Sequence, residues 1–275
     1  MIKVIATDLD GTLLNPKNKH ALVDKKNKKF IKSFYGDTVL VTGRNPKFCA
    51  KVCNCLGIQH NFVALNGAII VKNGSIIYSQ SMKKIILANL LQYLNDNYTD
   101  FEFIIFDKYD DITIYTAYDK KETKRKYKKL RHKNGKLQDI MKINNDLVNV
   151  YLNETNIDIY KTLIYADFNM EDVGSHLEKK YGDHFSFIIS DHSIEICPKG
   201  VNKGDGLQYL LSTTKVKNDE VFVVGDSVND ISMFEKFKNS FFINSGNIAA
   251  KVKANHVINN FSELSNFTKM NDNFL

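Results

Sequence analysis

The chain has 275 residues, 43% hydrophobic and 25% charged, the balance of a soluble globular protein of one or two domains. No apolar run approaches the roughly 20 residues that cross a bilayer, so no membrane-spanning helix is expected. The net charge of +7 is local: residues 119–136 carry ten Lys and Arg against two acids, and everything else sums to −1.

A polyanion would have to bind that one segment, which argues against a general nucleic-acid binder. Only Tyr127 is interleaved there as a stacking aromatic, which weakens that case further. Cys49, Cys53, Cys55 and Cys197 are too few for a disulfide framework in a chain of this size and read as reduced thiols. With no signal-peptide pattern at the start, a cytoplasmic location is expected.

In chain order, Val4-Ile5-Ala6 reads as a buried strand that stops at Asp8 and Asp10, with Gly11 and Thr12 turning the chain. Asn15-Pro16 marks a turn, and a polar helix is expected over 19–34. Thr38 to Thr42 is a second buried strand, ending at Thr42-Gly43-Arg44. Asn45 then caps a helix with Pro46 at its first position, and Gly57 closes it. Phe62 to Leu65 is a third strand, and residues 68–78 form a hairpin turning at Lys72-Asn73-Gly74.

This alternation argues for a mostly parallel sheet flanked by helices. Around residue 80 the texture changes. A helix over 83–95, strands over 101–106, 112–117, 146–152, 161–166 and 185–190, and a helix over 169–181 read as an inserted α+β unit with an antiparallel sheet. From Ile194 the first texture returns, with a short strand to Cys197. Lys203-Gly204 leads a helix to Ser212, and the buried strand Glu220 to Val224 ends at Gly225-Asp226-Ser227-Val228-Asn229-Asp230. A helix to Phe237, a strand over 241–243, a helix over 248–253 and Val257-Ile258 complete the chain.

The expected fold class is therefore α/β: a Rossmann-like parallel core over 1–82 and 191–275, with an inserted α+β cap over 83–190. Three buried strands end at Asp8/Asp10, Thr42/Gly43 and Asp226/Asp230, and in a parallel sheet their carboxyl ends share the edge where ligands bind. Paired acids at the end of a buried strand repel each other and resist desolvation unless a cation or proton compensates them. Three or four carboxylates beside a hydroxyl and glycine amides suit magnesium and a phosphate. Lys203 supplies the fixed positive charge that phosphate and acids both need.

Asp8-Leu9-Asp10-Gly11-Thr12, Val41-Thr42-Gly43-Arg44, Lys203 and Gly225-Asp226-Ser-Val-Asn229-Asp230 resemble the four motifs of the haloacid dehalogenase superfamily of phosphohydrolases. Asn66-Gly67-Ala68 and Ser245-Gly246-Asn247 are similar to its Cof-type, sugar-phosphatase-like branch, whose cap domain the insertion matches in position. The resemblance implies a magnesium-dependent phosphatase acting through an aspartyl-phosphate. Asp8 is the implied nucleophile and Asp10 the acid and then the base. Asp8, the Asp10 carbonyl and Asp226 would hold the metal, with Asp230 and Asn229 orienting that shell. Thr42, Lys203 and the Gly43 and Gly11 amides would hold the phosphate, and Arg44 and Asn66 would face the substrate.

The expected partner is a small phosphate ester, such as a sugar phosphate or a phosphorylated cofactor like pyridoxal phosphate or FMN, rather than a membrane or nucleic acid. Two alternatives remain open: a phosphomutase of the same chemistry, and a polyanion-binding protein acting through 119–136. Monomer and homodimer are equally compatible with the sequence.

Overall fold

The computed structural model describes residues 1–14, 22–98, 102–107, 111–116, 141–144, 158–165, 169–190 and 193–268. The expected turn at Asn15-Pro16, the helix start at Lys19, the basic segment 119–136 and the strand over 146–152 lie outside the described residues.

The chain divides into two compact units, Met1–Ser79 with Val201–Leu275, and Gln80–Gly200. In the first, β1 (Val4–Thr7), β2 (Asp37–Val41) and β3 (Phe62–Ala64) lie side by side in parallel, and the hairpin β4 (Ile69–Lys72) and β5 (Ser75–Ser79) extends the sheet antiparallel. On the other side of β1 come β12 (Val221–Gly225), β13 (Asn239–Ile243) and β14 (His256–Ile258), all parallel. Every residue of β1 and β12 is buried, as continuous apolar runs require when helices cover both faces of a parallel sheet.

Local chemistry sets the ends of these elements. Helix α1 (Lys25–Ser33) begins where the Asp24 carboxylate accepts from the Asn27 N–H at 2.8 Å. Helix α2 (Pro46–Leu56) starts as expected: Asn45 Oδ1 accepts from the Phe48 N–H at 2.9 Å with Pro46 in the first turn. Gly57, at φ 70°, ends it by donating its N–H to the Cys53 carbonyl. Cys49 and Cys53 pack inward from α2 with no exposure, and burial pushes the Cys53 thiol up to about 12, so they are inert core groups.

The second unit has helices α3 (Lys84–Asn97) and α4 (Met170–Tyr181) and a six-stranded sheet. Its strands are β6 (Glu102–Asp107), β7 (Asp111–Thr116), β8 (Met141–Asn144), β9 (Ile159–Tyr165), β10 (Phe185–Ser190) and β11 (Ser193–Pro198), in the order β10-β11-β9-β6-β7-β8. Pairing is antiparallel except between β7 and β8. Leu87, Leu90, Leu91 and Leu94 of α3 and Val173 and Leu177 of α4 share one core with Ile164, Ile194 and Ile196 of the sheet.

Both boundaries between the units differ from those expected. The strand at Ile194 was expected to reopen the parallel core, but β11 pairs with β10 and β9 along its length. Its apolar positions, Ile194 and Ile196, belong to the core of the second unit. The first unit therefore resumes at Val201 rather than at 191 and ends its first segment at Ser79 rather than at 82. Among the described residues, no helix is long and apolar enough to cross a membrane.

Candidate active site

Three neighbouring parallel strands deliver the acidic and hydroxyl side chains. The Asp8 N–H donates to the Val224 carbonyl at 2.9 Å, so Asp8 continues the ladder one step beyond β1. Asp226 follows β12 and Thr42 follows β2, both on the same edge of the sheet. Helix α5 (Lys203–Ser212) begins at Lys203; its N-cap, Asn202, accepts from the Asp205 N–H at 2.8 Å.

Lys203 joins the parts. Its Nζ donates to Asp8 Oδ1 at 2.7 Å, Asp230 Oδ1 at 2.7 Å and Asn229 Oδ1 at 3.0 Å. An ammonium has three N–H groups, and these partners take all three. Lys203 is 1% exposed, Asp8 5% and Asp230 0%, so the charges interact in a largely dry environment. Asp230 is committed on both oxygens: Oδ2 accepts the N–H groups of Asp226 and Ser227, each at 2.9 Å. Gly225 makes this possible, because a Cβ there would collide with the Asp230 carboxylate.

Asp226 is held from three sides. Thr12 Oγ1 donates to its Oδ1 at 2.5 Å. Its carbonyl accepts the Asn247 N–H at 2.7 Å, which explains the Ser245-Gly246-Asn247 stretch. Gly11, at φ +84°, leaves room for its carboxylate. Thr12, expected only to help turn the chain after Asp10, thus also aims the Asp226 carboxylate.

The electrostatics are unbalanced. Burial, the largest cause, pushes the Asp8 carboxyl well above the usual range; Lys203 opposes this, and Asp230 and Asp226 add to it. Burial also pushes Asp226 up to about 6, against the pull of the Thr12 hydrogen bond. For Lys203, burial acts downward, but the Asp230 and Asp8 carboxylates outweigh it and hold the ammonium above its ordinary value. Carboxylate oxygens of Asp8, Asp226 and Asp230 lie within 4.8 Å of one another. Three acids face one lysine, and hard oxygen donors converge where negative charge is in excess. This donor set fits a divalent cation.

Other expected residues sit differently. Arg44 grips Asp10 with two bonds, Nε to Oδ2 and Nη2 to Oδ1, both 2.7 Å, and its guanidinium lies 5.0 Å from the Phe48 ring centre. Thr42 Oγ1 accepts the Arg44 N–H at 3.2 Å. The Gly11 amide, expected to meet phosphate, instead donates to the Leu14 carbonyl at 3.2 Å, because the turn after Asp10 closes on itself. Gly11 contributes space, not a donor. Asn66, expected to face substrate, has no exposure, and its Oδ1 accepts from Asn229 Nδ2 at 3.3 Å.

A family model of haloacid dehalogenase-like hydrolases matches residues 5–265, and the chain belongs to that family. It is a phosphatase-type enzyme of the Cof-like kind. Phosphatase YwpJ of Bacillus subtilis is 24% identical over 252 residues, covering 85% of this chain and 86% of that protein. The 5-amino-6-(5-phospho-D-ribitylamino)uracil phosphatase YwtE of the same organism is 26% identical over 257 residues, covering 85% of each. A solved haloacid dehalogenase-like hydrolase from B. subtilis shares the fold at TM-score 0.77, with 23% identity and full coverage of both chains.

Proposed function

We propose that this phosphatase is magnesium-dependent and hydrolyses small phosphomonoesters, sugar phosphates or phosphorylated cofactors, through an aspartyl-phosphate at Asp8. The carrying observation is the convergence of Asp8, Asp226 and Asp230, with buried Asp8 and Asp230 sharing the Lys203 ammonium and Asp226 half-buried beside them. Such an excess of desolvated negative charge is costly for folding and useful for binding a cation that phosphate shares. Magnesium, when bound, supplies positive charge shared between the carboxylates and the phosphoryl oxygens. Asp8, Asp226 and the Asp10 carbonyl would hold it. Asp230, with its oxygens already bonded, would brace the turn that carries Asp226.

Asp8 attacks phosphorus as a carboxylate, an oxygen–phosphorus bond forms, and the ester oxygen leaves with a proton from Asp10. Water then attacks the same phosphorus, Asp10 takes its proton, and inorganic phosphate and free Asp8 result. Asp10 must leave the Arg44 fork to do this. Both partners are about half exposed, 41% for Arg44 and 52% for Asp10, so the exchange competes with a solvent-screened pair of modest strength. Lys203 holds Asp8 in aim and supplies a local positive field, and the Thr42 hydroxyl has its proton to offer a phosphoryl oxygen.

A relative whose name specifies a phosphorylated ribityl chain supports a polyol or sugar phosphate as substrate class. A panel of sugar phosphates, pyridoxal phosphate, FMN and an aryl phosphate, assayed for phosphate release with magnesium and with EDTA, tests the reading. Release from at least one ester that stops with EDTA is expected. No release from any ester at saturating magnesium overturns it.

A further inference from the structure

Immediately after β3, Leu65, Asn66 and Gly67 take positive φ in succession, at 50°, 59° and 110°. For a buried leucine that conformation is uncommon and strained, and it persists only where the surroundings over-determine it. Here they do. The Leu65 N–H donates to the Arg44 carbonyl at 3.0 Å and the Asn66 N–H to the Thr42 carbonyl at 3.0 Å, tying the turn to the loop that carries Thr42. From the same residue the side chain reaches the opposite flank of the site. Asn66 Oδ1 accepts from Asn229 Nδ2, and Asn229 Oδ1 accepts from Lys203 Nζ.

We infer that Asn66 is a positioning residue for the phosphoryl-transfer reaction, acting through Asn229 to aim the Lys203 ammonium at Asp8. The inference rests on the proposed role of Asp8 as nucleophile. An amide can rotate about its last torsion and present either end. The Asn66 oxygen fixes that choice, because it accepts the Asn229 NH₂ and so leaves the Asn229 oxygen toward Lys203. The ammonium then spends one N–H on Asn229 and keeps the other two on Asp8 and Asp230. Without Asn66, the Asn229 amide loses the acceptor that anchors its NH₂ end, its oxygen drifts from the ammonium, and Lys203 is held less firmly toward Asp8.

This role separates from binding. A misaimed ammonium still lends its charge to a bound phosphate ester, whereas the attack needs Asp8 in one orientation. Asn66→Gly is the informative variant, because glycine adopts a φ of 59° without strain and removes only the side chain. Asn66→Asp keeps an oxygen acceptor and is tolerated in the left-handed region.

The test is steady-state kinetics with magnesium on the best ester of the panel, for wild type, Asn66→Gly, Asn66→Asp, Asn229→Ala and the double variant Asn66→Gly/Asn229→Ala. Expected is a kcat about 10- to 100-fold lower for Asn66→Gly, the usual size of an outer-shell effect. KM should stay within about threefold, Asn66→Asp should recover most of the loss, and the double variant should be no slower than Asn229→Ala alone. The inference is overturned if Asn66→Gly matches wild type, if its loss lies in KM, if Asn66→Asp is no better, or if the two losses multiply. An inactive wild type would instead refute the phosphatase reading, so the two failures are distinguishable.

Discussion

Lys203 Nζ and Asp8 Oδ1 lie 2.7 Å apart although 195 positions separate the residues in the chain. The pair joins the N-terminal strand to the helix that resumes the first unit, and Asp230 shares the same ammonium. Removing the cation while leaving its acids buried is therefore expensive. Lys203→Met should cost about 3–5 kcal/mol in urea unfolding of the metal-free protein and abolish phosphate release. A variant as stable as wild type would show that the acids are relieved in some other way.

Asp8 should behave in the opposite sense. Burial and two neighbouring carboxylates raise its folded-state pKa, so the folded protein prefers the protonated form and loses stability as pH rises through that value. Asp8→Asn removes the charge and keeps an oxygen for Lys203. In EDTA at pH 7 it should raise Tm by about 2–5 °C while eliminating turnover. The gain should shrink as pH falls toward about 4, the unfolded carboxylate value. A lower Tm at pH 7 would show that ionised Asp8 is a net stabiliser.

Metal binding carries a pH signature of its own. Asp226, pushed up to about 6 by burial, must lose its proton to offer a ligand oxygen. Magnesium affinity, read by calorimetry, should fall as pH drops through about 6, by about tenfold per unit below it. The same affinity at pH 5 and pH 7 would remove Asp226 from the ligand set.

Thr12 is the simplest probe of that carboxylate's aim. Thr12→Val preserves shape and deletes the hydrogen bond to Asp226 Oδ1. Magnesium affinity should drop about 10- to 100-fold, with little change in kcat once the metal is saturating. Unchanged affinity would make the hydroxyl a bystander.

Gly225→Ala tests the crowding behind the site. An added methyl meets the Asp230 carboxylate, which is fixed by two backbone N–H groups and Lys203. Activity should be lost together with a clear drop in Tm, and magnesium should not restore either. Full activity would mean that the turn from Asp226 to Asp230 can yield.

The convergence of Asp8, Thr42 and Asp226 was legible because each follows an apolar run, and continuous apolar runs of that length are strands of a covered parallel sheet. Asn45 and Pro46 were legible for a local reason, a cap and its first turn. What stayed hidden depends on contacts across the chain. Ile194-Glu-Ile-Cys197 is a short apolar strand whose sheet is decided by its neighbours, β10 and β9, and nothing within four residues records that choice. The family resemblance implies that Asn66 faces the substrate. Its left-handed backbone turns it inward to Asn229, 163 positions away. Gly11 was read for its amide, yet the tight turn takes that amide for Leu14 and leaves only the space.

The central claim is that Asp8 itself carries the phosphoryl group. Acid quenching of the enzyme during turnover of a radiolabelled phosphomonoester with magnesium, followed by mass spectrometry of its peptides, addresses it directly. The label should be found on Asp8 in wild type, with none on Asp8→Asn. Turnover with no label on Asp8, or an Asp8→Asn variant that still releases phosphate at the wild-type rate, would contradict the account.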